Sequence, residues 1–273
     1  METSLIIEII LTGIGAGLFA GMFGIGGGIV ILPVLIFLMG WDIHLVVGTS
    51  LAALLLPNNF FALNNYRKKG LLYIKGSLIV ALGMLCGNYI GATFALATGG
   101  EYIKILFGLY QIIVGIKYIR PRYAFNKIFK KVESNNEVEP TYNSVENIKV
   151  YTFVIGGVLA GMLAGMFGIG GGLIITTILI SAYKINPKQA VAISLAAMFL
   201  PIGIPGVMLY YNSGYVDIPV ALLIALGIEV GSNFSSRIAL NMNAAMFKQI
   251  FGIFLFILGI YFIYVGVNVI IGS

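Results

Sequence analysis

The sequence has few charged residues: only 10% of its 273 residues are Asp, Glu, Lys or Arg, against 59% hydrophobic residues. A soluble domain carries roughly 25% charged residues. Apolar runs of about 20 residues, long enough to cross the hydrocarbon core of a membrane, recur from end to end. The apolar–polar alternation typical of a membrane β-barrel is also lacking. The composition therefore predicts an all-α, polytopic helical membrane protein.

Cysteine and histidine are almost absent as well. Cys86 and His44 are the only residues of their types, which excludes an internal disulfide and a thiolate metal cluster and places no catalytic pair together. We therefore expect neither an enzyme nor a protein with a metal or another cofactor. The first five residues lack the basic segment of a signal peptide, so the first apolar run is expected to be a retained helix.

A nine-residue stretch, AGMFGIGGG, occurs twice, at residues 20–28 and 164–172. At the same offset of 144 positions, residues 50–53 match residues 194–197 and Pro57 matches Pro201, without a gap. This register along both halves indicates an internal duplication. We expect a first transmembrane repeat at 1–119, a cytoplasmic linker at 120–148 and a second transmembrane repeat at 149–273.

Each half is predicted to contain five helical segments. Their approximate bounds are 5–23, 28–40, 44–64, 74–96 and 101–119 in the first half, and 150–167, 172–183, 188–210, 217–237 and 245–269 in the second. The segments after the glycine runs have only about 12 residues, near 20 Å as helix, which is short for a span. Each glycine hairpin is therefore either two short spans or a re-entrant loop.

The distribution of charge orients the segments. Lys and Arg cluster at 67–75 and in the linker, which predicts that both face the cytoplasm, whereas Asp42 and Glu101 fall outside. The net charge of +6 therefore indicates topology and no nucleic-acid partner. Applied along the rest of the chain, this preference of Lys and Arg for the cytoplasmic side predicts that the second half is inverted relative to the first and that both termini lie outside. Inverted repeats with interrupted helices at matching places are typical of secondary transporters.

The glycine runs have three interpretations. A nucleotide loop requires a preceding strand and a following Lys-Ser/Thr pair, and both are missing. Close helix packing explains the G-x-x-x-G faces at 13–21 and 83–91. The triplets at 26–28 and 170–172 instead favour helix breaks, each of which starts a helix whose N–H groups and positive dipole end bind anions. We expect a two-sided anion site near the membrane midplane, with plain packing as the alternative.

Polar residues at membrane depth extend this candidate site. The predicted substrate-binding residues are Gly24, Gly26, Gly27, Gly28, Thr49, Ser50, Asn58, Asn59, Gly168, Gly170, Gly171, Gly172 and Ser194. Asn88, Ser232 and Asn233 are further polar residues, within the fourth segments. For every Asn and Ser residue at this depth, interhelical contact is the alternative. Glu229, whose counterpart is Leu85, is the candidate for proton coupling, with pairing to a basic residue of another helix as the alternative.

The chain resembles the sulfite exporter TauE/SafE family of membrane transporters. The resemblance rests on AGMFGIGGG at 20–28 with Pro33 following, its copy at 164–172, and the S-L-A-A…P segments at 50–57 and 194–201. It covers both halves and leaves out only the linker, and Thr177 stands where the first half has Pro33. The resemblance implies a multi-pass protein of the cell inner membrane that exports or imports small sulfur-containing anions such as sulfite, sulfoacetate or thiosulfate.

The expected partners are therefore a small anionic substrate and the lipid bilayer. The alternative function is an anion channel of similar architecture. Such a channel would conduct through an open path and would need no alternating access. The sequence leaves the oligomeric state open, a homo-oligomer being one of the alternatives.

Overall fold

The structure of the chain, a computed structural model, describes residues 3–24, 26–56, 59–119, 143–181, 183–241 and 244–272. All regular elements in these ranges are helical, namely twelve α-helices and a 3₁₀ turn at Val145–Asn147. The predicted all-α class is confirmed. Asn58 and most of the predicted linker lie outside the described residues.

The two halves contain matching series of six helices. In the first half they are α1 (Thr3–Phe23), α2 (Gly28–Met39), α3 (Ile43–Leu55), α4 (Phe60–Lys68), α5 (Ile74–Leu96) and α6 (Gly100–Ile119). In the second half they are α7 (Val150–Phe167), α8 (Gly172–Ser181), α9 (Pro187–Phe199), α10 (Ile204–Asn212), α11 (Ile218–Asn241) and α12 (Ala244–Gly272). From α2 and α8 onward, equivalent helices begin 144 positions apart, so the duplication extends to helix boundaries.

The third predicted segment of each half differs from the expectation of one continuous helix. It is broken into α3 and α4 in the first half and into α9 and α10 in the second, with bends of 50° and 49°. Leu56 (ψ 152°) and Leu200 (ψ 148°) are extended at these breaks. Each precedes a proline in the sequence, and the proline ring disfavours helical backbone in the residue before it.

Within the described ranges, four helices are long and apolar enough to cross a membrane, and the number rises to six when each bent pair is counted as one span. The four are Ser4–Phe23, Ile74–Leu96, Val150–Phe167 and Ile218–Asn241. The helices that follow the glycine runs, α2 and α8, have 12 and 10 residues and are shorter than a full span. The chain is therefore a polytopic membrane protein in which two helices too short for a full span start at the duplicated motif.

Glycine faces bring two pairs of long helices into backbone contact. A Cβ atom built on Gly17 of α1 would overlap the carbonyl of Ile228 in α11, and one built on Gly161 of α7 would overlap that of Met84 in α5. The neighbouring contact of Gly13 with Ile224 shows that α1 and α11 run parallel. Small residues allow such close approach between membrane helices.

The contacts of α11 show that the two repeats run in opposite directions. Along α11, Thr49 of α3 contacts Asp217 and the following helix α4 contacts Glu229, so this pair runs parallel to α11. The equivalent helix α9 runs the other way: Lys188 at its start donates to Leu240 O (2.6 Å) near the end of α11. At the far end of α9, the Phe199 ring lies 6.1 Å from the Phe60 ring.

The chain forms two compact units that cut across the repeats. The first comprises residues 1–100 and 143–241, and the second comprises residues 101–142 and 242–273. Within the second unit, α6 and α12 cross antiparallel: a Cβ on Gly108 would lie 2.6 Å from Gly259 O, and one on Gly115 would lie 2.9 Å from Gly252 O. Each repeat therefore contributes to both units, and the repeat boundaries remain a prediction from the sequence.

Candidate functional site

The two glycine runs form loops of almost identical conformation. We call Gly24, Gly26, Gly27 and Gly28 loop 1, and Gly168, Gly170, Gly171 and Gly172 loop 2. The first three glycines of each have positive φ, at 66°, 82° and 83° in loop 1 and at 65°, 76° and 71° in loop 2. This region is accessible to glycine at no steric cost. The replacement of Pro33 by Thr177 in the following helix leaves this geometry shared.

The loops pack directly against each other. A Cβ atom on Gly28 would overlap the carbonyl oxygen of Gly168, and a Cβ on Gly172 would overlap that of Gly24. At the centre, a Cβ on Gly26 would lie 3.4 Å from the Cα of Gly170. The point where the loops meet is therefore where the two repeats cross, and each predicted glycine has a packing or conformational reason of its own.

Side chains of the third helices hold the loops across the repeat boundary. Ser50 Oγ of α3 donates to Gly168 O (2.8 Å), and Ser194 Oγ of α9 donates to Gly24 O (2.5 Å). Both serines are fully buried. Each repeat thus satisfies a carbonyl at the end of the other repeat's first helix, where no intrahelical donor is available.

Two tyrosines that the sequence analysis did not propose for the site support the same helix ends. Tyr66 and Tyr210 are fully buried, and their hydroxyls donate at 3.1 Å to Gly21 O and Gly165 O respectively. Their spacing of 144 residues was the available signal, because a repeated, buried tyrosine needs a partner for its hydroxyl.

Loop 2 presents backbone N–H groups at the start of α8. The first N–H groups of this helix with an acceptor are those of Ile174 and Ile175, both directed to Gly171 O (3.1 and 3.5 Å). Among the described residues, the N–H groups of Gly172 and Leu173 before them have no acceptor. In loop 1, Val30 and Ile31 donate to Gly27 O in the same way (2.9 and 3.3 Å). Such N–H groups carry the positive end of the helix dipole.

A methionine fills the space between the loops. The Cε atom of Met198 packs against both Gly26 and Gly170, since a Cβ on either would overlap it. Met198 also lines a cavity of about 10 Å³, which has room for about one water molecule. The other walls include Leu54, Asn88, Gly170 and Gly203. The counterpart of Met198 is Leu54, so the duplicated pattern held no signal for it.

The remaining polar candidates have separate surroundings. Thr49 Oγ1 accepts the N–H of Asp217 (3.0 Å) at the start of α11. Asn59 directly precedes α4, is buried, and has an Oδ1 atom with no hydrogen-bond partner among the described residues. Asn65 Nδ2 contacts Asn233 Oδ1 and Ser236 Oγ (3.5 and 3.0 Å), an interhelical contact between α4 and α11.

Glu229 and Asn88 hold the starts of the two short helices that follow the breaks. The Glu229 carboxylate accepts the N–H groups of Phe60 and Phe61 at the start of α4 (3.2 and 3.0 Å). Asn88 Oδ1 accepts the N–H of Gly206 near the start of α10 (2.8 Å). Glu229 thus bonds to backbone amides, and no ion pair joins it to a basic side chain within the described part of the chain.

Inverted repeats with broken helices at matching places are typical of helical membrane transporters. The family model described as Sulfite exporter TauE/SafE matches residues 9–262. The chain belongs to this family.

Two relatives agree with this assignment. The chain is 30% identical over 250 residues to the probable membrane transporter protein MJ0441 of Methanocaldococcus jannaschii, covering 86% of this chain and 85% of that one. It is 28% identical over 273 residues to the probable membrane transporter protein YunE of Bacillus subtilis, covering 95% and 97%. No solved structure matches the chain. The protein is a multi-pass membrane transporter and not an enzyme.

Proposed function

We propose that this transporter carries small sulfur-containing oxyanions, such as sulfite, sulfoacetate or thiosulfate, across the cell inner membrane. The observation that carries the proposal is the crossing of loops 1 and 2, because α2 and α8 both begin there. Helix N-termini bind oxyanions through N–H groups and the dipole, without a cationic side chain. The description of the family as sulfite exporters supports the chemical class of the substrate.

The side chains around the loops have two roles: two serines hold the loops in shape, and a methionine fills the space between them. The hydroxyls of Ser50 and Ser194 are directed to Gly168 O and Gly24 O, so they shape the loops that receive the anion. Met198 occupies the space between the loops, and the anion reaches the N–H groups when this side chain rotates away. Met has three rotatable bonds and adapts readily. A closed crossing favours a gated transporter over the alternative, an open anion channel.

A thermal-shift screen of the purified protein tests the substrate class. An anion that binds the folded protein at a hundred times its Kd adds about 2.7 kcal/mol of stability, so Tm should rise by several degrees with sulfite, thiosulfate or a small sulfonate. Dimethyl sulfone, which has sulfur-bound oxygen atoms but no charge, is the control. If none of the sulfur oxyanions raises Tm above this control, the substrate belongs to another class. Counterflow of labelled substrate then separates a transporter from a channel.

We also propose that Glu229 couples transport to protons. It is the acidic residue of α11 that lies within the apolar segment, and its carboxylate bonds to backbone rather than to a cation. Glu229→Gln mimics the protonated form with little change in shape. The variant should retain counterflow and lose stimulation by a pH gradient in proteoliposomes. A Gln variant that responds to the gradient as the parent does would leave Glu229 with a structural role only.

A further inference from the structure

Glu229 and Asn88 have equivalent structural roles in the two repeats, but one is a carboxylate and the other an amide. Leu85 is the counterpart of Glu229, and Asn88 lies three residues further along the equivalent helix, on the same face. Each side chain accepts from the short helix that follows the break in the other repeat: Glu229 accepts two N–H groups of α4, and Asn88 accepts one N–H group of α10. The starts of the two short helices are thus held by hydrogen bonds to one side chain each, α4 to Glu229 of α11 and α10 to Asn88 of α5. We call these two side chains the pins of α4 and α10.

The two pins respond differently to protons. The Asn88 amide oxygen is a neutral acceptor at every accessible pH. An ionised Glu229 accepts charge-assisted hydrogen bonds from two N–H groups, and its negative charge interacts favourably with the positive end of the α4 dipole. On protonation, the carboxyl group loses its charge and one of its oxygens becomes a hydroxyl that donates, so its hydrogen bonds to the two N–H groups weaken. Only the pin of α4 is therefore sensitive to pH.

No neighbouring charge takes over this role within the described residues. The elements packed around Glu229 carry charged or titratable groups mainly towards their ends, and Tyr66 on α4 bonds to Gly21 O. These groups are Glu8 on α1, Asp42 and His44 at the start of α3, Arg67 and Lys68 in the last turn of α4, Lys188 at the start of α9, Asp217 directly before α11, and Arg237 on α11. Lys188 donates to Leu240 O, and Asp217 Oδ1 accepts the N–H of Val220.

We propose that Glu229 is a positioning residue that releases α4 when it is protonated, while Asn88 keeps α10 in place. Glu229 acts through the start of α4 and does not touch the transported anion. The buried Asn59, whose Oδ1 has no partner within the described part of the chain, lies at the break between α3 and α4. The inference deepens the proposed proton coupling and rests on it. It places the proton-sensitive movement in the broken helix of the first repeat alone.

Hydrogen exchange of the full chain in lipid nanodiscs, without substrate, tests the proposal. The readout is the ratio of the exchange rate of residues 60–66 to that of the matched residues 204–210, in which the intrinsic effect of pH on exchange cancels. As the pH is lowered from about 8 until the Glu229 carboxyl group is protonated, this ratio should rise at least about threefold, because protonation opens the start of α4 alone. A ratio that does not change with pH overturns the proposal.

Two variants sharpen the test. In Glu229→Gln the ratio should be independent of pH, and a ratio that still rises would assign the effect to another group. In Asn88→Asp the carboxylate should make α10 pH-sensitive as well, so that residues 204–210 exchange faster at low pH than in the parent. If α10 stays insensitive although this variant folds, the pins do not work as proposed. Because no substrate is present, these outcomes are independent of which anion is transported.

Discussion

Replacing Gly172 with alanine should abolish most of the folded transporter. The new Cβ would overlap Gly24 O and lie 2.6 Å from Ser194 Oγ and 2.8 Å from Met198 Sδ. Relief requires a shift of the loop 1 backbone, which Ser194 holds through its hydrogen bond. Overpacking typically costs about 1–3 kcal/mol even where side chains can adjust, and backbone adjusts less. We expect a loss of most monodisperse protein in detergent, measured by fluorescence-detected size exclusion.

Gly156→Ala is the matched control, because Gly156 also lies close to the second repeat's glycine loop in sequence. Its Cβ would meet Ile178 Cδ1 at 3.6 Å, an ordinary contact, and alanine favours the helix by about 1 kcal/mol over glycine. This variant should fold at least as well as the parent. Gly28→Ala, the repeat equivalent of Gly172→Ala, should fail in the same way. Equal yields and Tm values for Gly172→Ala and Gly156→Ala would contradict the observed packing of the loops.

The same geometry limits what glycine variants reveal about substrate binding. Gly27 and Gly171 have φ values of 83° and 71°, and a Cβ on them would lie 2.8 Å from Ala16 O and 2.5 Å from Ala160 O. Substitution by valine at either position should therefore disrupt folding whether or not the amide touches an anion. A test of the anion site needs a residue beside the loops whose hydrogen bonds survive the change.

Asn88→Asp meets this requirement and should weaken anion binding strongly. Asp retains an oxygen that accepts the Gly206 N–H and adds a negative charge to the cavity beside Gly170. Two unit charges about 6 Å apart at an effective dielectric constant of about 20 repel by about 3 kcal/mol, roughly a hundredfold in Kd. The measurement is the Kd of the most stabilising anion of the screen, at a pH where the new carboxyl group is ionised.

Asn212→Asp makes the same chemical change on an exposed residue at the end of α10 and controls for the added charge. It should leave Kd within about twofold of the parent, because exposed charges are screened by solvent and salt. A folded Asn88→Asp protein that binds the anion as tightly as this control would place the binding site away from loop 2.

Much of the architecture was accessible from the sequence because it depends on local constraints. The glycine triplets predicted helix breaks, and positive φ values at both confirm the conformational reason. The alternation of Lys- and Arg-rich loops predicted the inversion that the opposite directions of the equivalent helices α3 and α9 display. The break in the third segment was signalled by Pro57 and Pro201, yet the apolar pattern continued across it and suggested one helix.

The contacts that define the site were decided by the tertiary structure alone. Ser50 meets Gly168 across 118 residues and Ser194 meets Gly24 across 170, and composition and periodicity do not specify which distant segments cross. Met198 fills the crossing although its counterpart is Leu54. The sequence marked Glu229 as an unusual carboxylate at membrane depth, but its partners, the N–H groups of Phe60 and Phe61, exist only because α4 begins beside α11. Backbone groups carry no sequence signature, so only packing could identify them.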